Sequence, residues 1–276
     1  MNRSAPTCFE CEHFCGNKMP AAKKIFNVDK LSVQIYSCEV DLAEDVAEIA
    51  QNYLQSVLQK NGSAAILLAT GNSQIKFLEK LVALDGIDWS RITCFHLDEY
   101  LGISGEHAAS FRYYLRERVQ KLVKPKEFHY IEGDALEPLR ECDRYTRLLQ
   151  AQPIDLCCLG VGDNGHLAFN EPAVANFQDP YTVKLVKLDR VNHQQQVNQG
   201  HFPNLESVPQ YAFTVTIPTI CAARKIFCLI SGRHKAKIVQ QMLQGNITTD
   251  CPASILRKQP QTTLFLDKDA AALIKN

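Results

Sequence analysis

The chain of 276 residues carries 30 Lys and Arg against 30 Asp and Glu, and 46% of it is hydrophobic. A balanced charge with no long run of one sign argues against a nucleic-acid-binding surface, although a single anionic small molecule needs only a local cluster of donors. No stretch approaches the ~20 apolar residues of a membrane span, and the composition is that of an ordinary globular protein.

Residues 1–27 contain Pro6, Gly16 and Pro20 without periodic pattern, and read as a flexible extension before one domain over 28–276. Cys8, Cys11 and Cys15, with His13 between them, are spaced loosely like a zinc site. No second cysteine pair completes it, so no metal is expected. The start of the chain lacks the apolar core of a signal peptide, and the 11 cysteines lie mostly in apolar runs. Both features predict a reducing, cytoplasmic setting. Val33, Gln34, Ile35 and Tyr36 then alternate as a strand. Leu42, Val46, Ile49, Tyr53 and Val57 form a helical stripe, with a start near Asp41 and Glu44 and a stop at Asn61 and Gly62. A strand over 64–68, a helix over 73–84, a strand over 92–97, a helix over 111–122 and a strand over 154–159 follow. Residues 171–209 are polar and irregular, with Gln178, Gln194, Gln195, Gln196 and Gln199. A segment this long predicts a mobile lid or binding region with room for one helix. Regularity returns with strands over 212–217, 225–230 and 262–266, a short helix from Pro218 and a helix over 233–243. Alternating strands and helices predict an α/β fold of one domain: an open, mainly parallel, Rossmann-like sheet with helices on both faces.

The richest chemistry follows the strand at 154–159. Gly160, Gly162 and Gly165 let the backbone turn sharply; the same stretch supplies an imidazole, His166, two amides, Asn164 and Asn170, and a carboxylate, Glu171. The carboxyl edge of an open α/β sheet is where such a set builds an active site, whereas a solvated turn is the plainer alternative. Thr70, Gly71, Asn72 and Ser73 lie between a buried-type strand and a helix, a natural anion site, with Ser73 also able to cap the helix. Asp98 follows the strand over 92–97, and its neighbour Glu99 should face the other way. Lys235 enters a helix after Gly232, where a cation is unfavourable against the helix dipole unless an anion binds there.

Four segments in order, residues 68–73, 95–100, 160–172 and 231–236, resemble the pattern of glucosamine-6-phosphate deaminases (isomerases), whose fold is shared by 6-phosphogluconolactonases. The likeness spans about residues 33 to 270. It implies aldose–ketose isomerisation with deamination of glucosamine 6-phosphate to fructose 6-phosphate and ammonia, classed as hydrolysis of an amino sugar C–N bond, without metal or cofactor. The implied partner is a small phosphosugar, with no nucleic acid and no membrane, and homo-oligomerisation is left open. By the same resemblance Asp98 takes the C2 proton, His166 opens the sugar ring, Asn164 and Glu171 orient that imidazole, and Thr70, Gly71, Asn72, Ser73 and Lys235 hold the substrate. The sequence departs from the pattern at three places. Asn72 replaces a second glycine, a substitution that Asn tolerates through its left-handed backbone. Asn164 cannot stabilise an imidazolium with full charge, and Gln196 falls where some members place a phosphate-binding arginine. A lactonase on the same fold and a non-catalytic sugar-phosphate sensor are the competing readings.

Overall fold

A computed structural model of the chain describes residues 21–198 and 200–274. Its frame follows from short apolar runs in which both strand faces are buried, the pattern of a parallel sheet covered by helices. In chain order these are β1 (Lys24–Val28), β2 (Leu31–Tyr36), β3 (Ala64–Leu68), β4 (Ile92–His96), β5 (Asp98–Tyr100), β6 (Glu127–His129), β7 (Leu156–Leu159), β8 (Val183–Lys187), β9 (Tyr211–Val215), β10 (Lys225–Ile230) and β11 (Thr262–Asp267). Eight of them form one sheet in the order β1-β2-β11-β10-β7-β3-β4-β6. Only β1 pairs antiparallel in it; the other seven strands run parallel.

The period-two alternation of each strand divides the interior into two cores. Leu67, Cys157, Leu159, Cys228, Ile230 and Leu264 face one side, where they meet Cys142, Tyr145 and Leu149 of α5 (Pro138–Gln150) and Val239 and Met242 of α8 (Ala236–Gln244). Ile66, Leu68, Leu156, Cys158, Phe227 and Phe265 face the other, under α1 (Glu39–Asn61) and α2 (Asn72–Ala83). The α1 stripe ends where expected: Gly62 adopts φ 81°, and its N–H closes on the Leu58 carbonyl. The helix expected over 111–122 is one continuous piece, Phe111–Leu115, a π-helical turn at Arg116–Gln120, and Lys121–Val123.

Two differences from expectation matter for the site. Lys24–Val28, mostly within the stretch expected to be a flexible extension, pairs with β2 along its whole length, so the large sheet begins before residue 28. The cysteine cluster at 8–15 lies outside the described residues. Within 171–209, expected to be irregular, β8 and α6 (Arg190–Asn198) are regular elements. β8 joins β9 and β5 in a second, antiparallel sheet of order β5-β9-β8 that the sequence pattern did not suggest. Its own small core contains Tyr100, Phe169, Val186, Leu188, Phe202 and Ala212. The polar composition of this stretch hid a strand whose apolar positions, Val183, Leu185 and Val186, number only three.

The chain passes between the sheets at Leu97, whose N–H donates to Leu68 of the large sheet and whose carbonyl accepts from Val215 of the small one. Directly after it, Glu99 is fully buried and turned away from Asp98's side, as alternation predicts. Its carboxylate accepts from the Ser110 hydroxyl (2.7 Å) and from the backbone N–H groups of Tyr100, Phe111 (3.1 Å) and Arg112 (2.9 Å). Glu99 thus satisfies the amino end of the helix starting at Phe111. Glu99→Ala strands several buried donors, and chemical denaturation should register a loss on the order of 3 kcal/mol. A loss below roughly 1 kcal/mol would mean that the helix start holds itself through Ser110.

Candidate active site

The ends of β3, β4, β7 and β10 open onto a cavity of about 420 Å³, within the range of small-molecule sites. Its position is the one that an open α/β sheet provides, outside the carboxyl edge of the strands. Thr70, Gly71, Asn72 and Ser73 line it, as do Asp98, His166 and Lys235. The expected cluster therefore assembles from four separate segments.

At the start of α2 the residue outside the helix is Gly71, with φ 99° and ψ 172°, a backbone that favours glycine. Asn72 is already helical, so its tolerance of the left-handed region is not called upon. Ser73 also does not cap: no side chain does at this helix start, and the Ser73 hydroxyl instead accepts from the Gln74 side chain (3.1 Å). The first turn of α2 is left to face the cavity, which suits an anion. The Tyr114 hydroxyl, also at the cavity, donates to the Gly71 carbonyl (3.2 Å) and braces this loop.

Asp98 is 8% exposed, and its pKa is raised well above the ordinary carboxylate range, chiefly by burial and further by the neighbouring Glu99. In β5 it stands opposite Thr214 of β9. The Thr214 hydroxyl accepts from the Phe169 N–H (3.1 Å) and the Asn170 amide (3.2 Å), and the same amide donates to the Val215 carbonyl (2.8 Å). Asn170 thus ties the glycine-rich loop to the strand pair bearing Asp98. Between the two parts, Ala168 lines the cavity at φ 51°, a conformation rare outside glycine and held by the Leu167–Asn170 bridge.

His166 presents one edge of its ring to the cavity. Nδ1 lies 2.8 Å from the Asn164 side-chain oxygen, which can only accept, so Nδ1 carries the proton and Nε2 is the basic nitrogen. Burial, and secondarily the positive charge of Lys235, push the imidazole down to about 4. The ring lies over Gly162, where any Cβ would collide with it; glycine is required there for the imidazole to fit. Lys235, in a 3₁₀ turn at Arg233–Lys235 before α8, donates to the Val161 carbonyl (2.8 Å) and to Asp163 (2.5 Å).

Asn164 stands behind His166 rather than in the cavity wall. Glu171 is also outside the wall, 1% exposed, and its Oε2 accepts from the Asp189 N–H (3.3 Å). There it anchors the segment entering α6, whereas the Nδ1 of His166 is bonded by Asn164. Gln196 does reach the cavity, paired with His201, whose Nδ1 lies 2.8 Å from the amide oxygen. His201 was not foreseen, since nothing in its polar surroundings distinguishes it. Among the described residues no group of three or more His, Cys, Asp or Glu could hold a metal ion, and no helix is long and apolar enough to cross a membrane.

Residues 38–265 match the family model described as glucosamine-6-phosphate isomerases/6-phosphogluconolactonase. Relatives include the glucosamine-6-phosphate deaminase of Exiguobacterium sibiricum, 36% identical over 86% of this chain and 92% of its own. Glucosamine-6-phosphate deaminase 1 of Bacillus subtilis is 33% identical over 85% and 98%. Among solved structures, a monomeric glucosamine-6-phosphate deaminase superposes with a TM-score of 0.81 at 31% identity, covering 88% of this chain and 99% of that one. The 6-phosphogluconolactonase of Thermotoga maritima, at 20% identity and a TM-score of 0.70 over 86% and 100%, shares the fold. With the family model covering residues 38–265, and the deaminases at a third of identical residues over most of their length, the chain belongs to the glucosamine-6-phosphate isomerase/6-phosphogluconolactonase family.

Proposed function

We propose that this protein is a glucosamine-6-phosphate deaminase, converting glucosamine 6-phosphate to fructose 6-phosphate and ammonia. The observation that carries the reading is the pair Asp98 and His166. One is a buried carboxylate of raised proton affinity and the other a neutral imidazole, and both face a cavity that also holds an uncapped helix start and a lysine. The phosphate would sit against residues 70–73 and Lys235, with the sugar carbons toward Asp98. His166, through Nε2, would pass a proton between the anomeric hydroxyl and the ring oxygen and so open the ring. Asp98 would then take the C2 proton and return it at C1, leaving a C2 imine. Water adds to that carbon and ammonia departs, so one water is consumed; the sum is hydrolytic, while the proton movements are those of an isomerase. Eight free cysteines among the described residues suit a reducing, cytoplasmic setting.

Purified protein given glucosamine 6-phosphate should release ammonia and fructose 6-phosphate in equal amounts. Hydrolysis of 6-phosphogluconolactone with no ammonia from the amino sugar would overturn the assignment in favour of a lactonase.

Asp98→Asn should abolish exchange of the C2 proton with solvent, a loss of ~10²–10⁴ in rate, because an amide of equal volume cannot act as a base. Stability should move the opposite way. Asp98's folded pKa lies above its unfolded value, so ionisation burdens the folded state increasingly as pH rises through the folded pKa. The variant should therefore melt higher than the parent near pH 8 and no differently near pH 4, by thermal denaturation at the two pH values. Retained exchange would remove Asp98 from its role.

The acid limb of kcat/KM is the next check. His166 is held down to about 4 and Asp98 well above its usual range, so the group lost first on acidification is the Asp98 carboxylate. Activity should fall as pH drops through a midpoint well above that of an ordinary aspartate. A limb near 4 would overturn the assignment of the essential ionisation to an Asp98 of raised proton affinity.

A further inference from the structure

Lys235 and the glycine-rich loop are joined by a contact that the reaction above does not use. The ammonium donates to the Val161 carbonyl (2.8 Å) and to the Asp163 carboxylate (2.5 Å). These two residues flank Gly162, over which the His166 ring lies. The loop itself is closed by hydrogen bonds from Gly162 N–H to the His166 carbonyl and from Gly165 N–H to the Gly162 carbonyl, both 3.0 Å. Lys235 therefore clamps the short arc of backbone on which the imidazole rests.

The two ends of the ion pair differ in freedom. The Lys235 side chain is 11% exposed and lines the cavity, while that of Asp163 is 48% exposed and lies outside the cavity wall. Asp163 can swing into solvent at little cost, whereas the ammonium cannot leave the cavity edge. An anion entering beside α2 meets a cation already engaged by a carboxylate that is free to withdraw. The bond to the Val161 carbonyl would remain when Asp163 releases, so the backbone under His166 stays held while the charge is handed over. Burial and Lys235 lower the imidazole's proton affinity, and Asp163 opposes them, so both partners of the pair act on His166.

We propose that Asp163 is a positioning residue that holds Lys235 and is exchanged for the phosphate of the substrate, setting the affinity for phosphorylated ligands. This rests on placing the phosphate at residues 70–73 and Lys235. The carboxylate competes with the incoming anion, so its removal should tighten anion binding, the opposite of what loss of a structural loop residue does.

The test is calorimetric binding of inorganic phosphate and fructose 6-phosphate to the full chain and to Asp163→Asn, with unphosphorylated glucosamine as a third ligand. Both phosphorylated ligands should bind about two- to fivefold more tightly to the variant, the range of an ion pair with one exposed partner, with glucosamine unchanged. In turnover, KM for the phosphosugar should fall by a similar factor while kcat changes less, and Asp163→Glu should restore the parental affinity. Unchanged or weaker phosphate binding in a variant of normal melting temperature would overturn the proposal, as would equal changes for glucosamine and phosphosugar. Should Asp163→Asn not fold, Asp163→Ser gives the same comparison. The binding ratio needs no turnover, so absence of ammonia release would count against the proposed function alone.

Discussion

The seam between the two sheets is the contact on which the site depends. Thr214 stands opposite Asp98 in the small sheet, and its hydroxyl takes hydrogen bonds from Phe169 and Asn170, three and four residues beyond His166. The Asn170 amide adds a bond to the Val215 carbonyl, and the Val215 N–H closes on Leu97. Asp98 lies on a strand of the small sheet and His166 in the loop after a strand of the large one, and this small group of buried bonds ties the two together. The fully buried Asn170 holds this geometry through its amide nitrogen, which donates to the Leu167 carbonyl (2.9 Å), the Thr214 hydroxyl and the Val215 carbonyl.

Adjacent residues here perform unlike duties because their surroundings differ. Asp98 and Glu99 are both buried carboxylates, and burial raises both. Glu99 accepts from three backbone N–H groups and a hydroxyl, all of which favour its charged form and lower its pKa against that rise. Asp98 has only a like charge beside it, which raises it further. One carboxylate is thereby committed to the helix start at Phe111, and the other faces the cavity with its proton affinity raised. The same division separates the two histidines nearby. His96 is fully buried, accepts from the Ile131 N–H through Nε2 (2.8 Å) and is pushed down to about 3 by burial, whereas His166 keeps Nε2 for the cavity.

The large sheet was legible in the sequence because apolar runs such as Ala64–Leu68 and Leu156–Leu159 need no partner to be recognised. The helix over Pro138–Gln150 went unread although Pro138 sits in its first turn and Cys142, Tyr145 and Leu149 follow at helical spacing. Its many charged residues dilute that stripe. β5, only Asp98, Glu99 and Tyr100, carries no local strand signal and exists because β9 is there to pair with it. For the site, motif order located Asp98, His166, Lys235 and the loop at 70–73. What it could not supply were relations made by tertiary packing: Glu171 on the Asp189 N–H at the entry to α6, and Asp163 on Lys235.

The small sheet has consequences for how the molecule fails as well as how it works. Its core is a handful of side chains around Tyr100, Phe169 and Phe202, against two extensive cores flanking the large sheet. Regions with few buried apolar contacts open at lower free energy than the body of a domain. Because Asp98 belongs to β5 and His166 to the loop after β7, detaching the small sheet parts the two groups while the eight-stranded sheet stays intact. Heat or mild denaturant would then silence the molecule well before its helices melt, and the boundary of its working range is drawn by three short strands rather than by the frame that carries them.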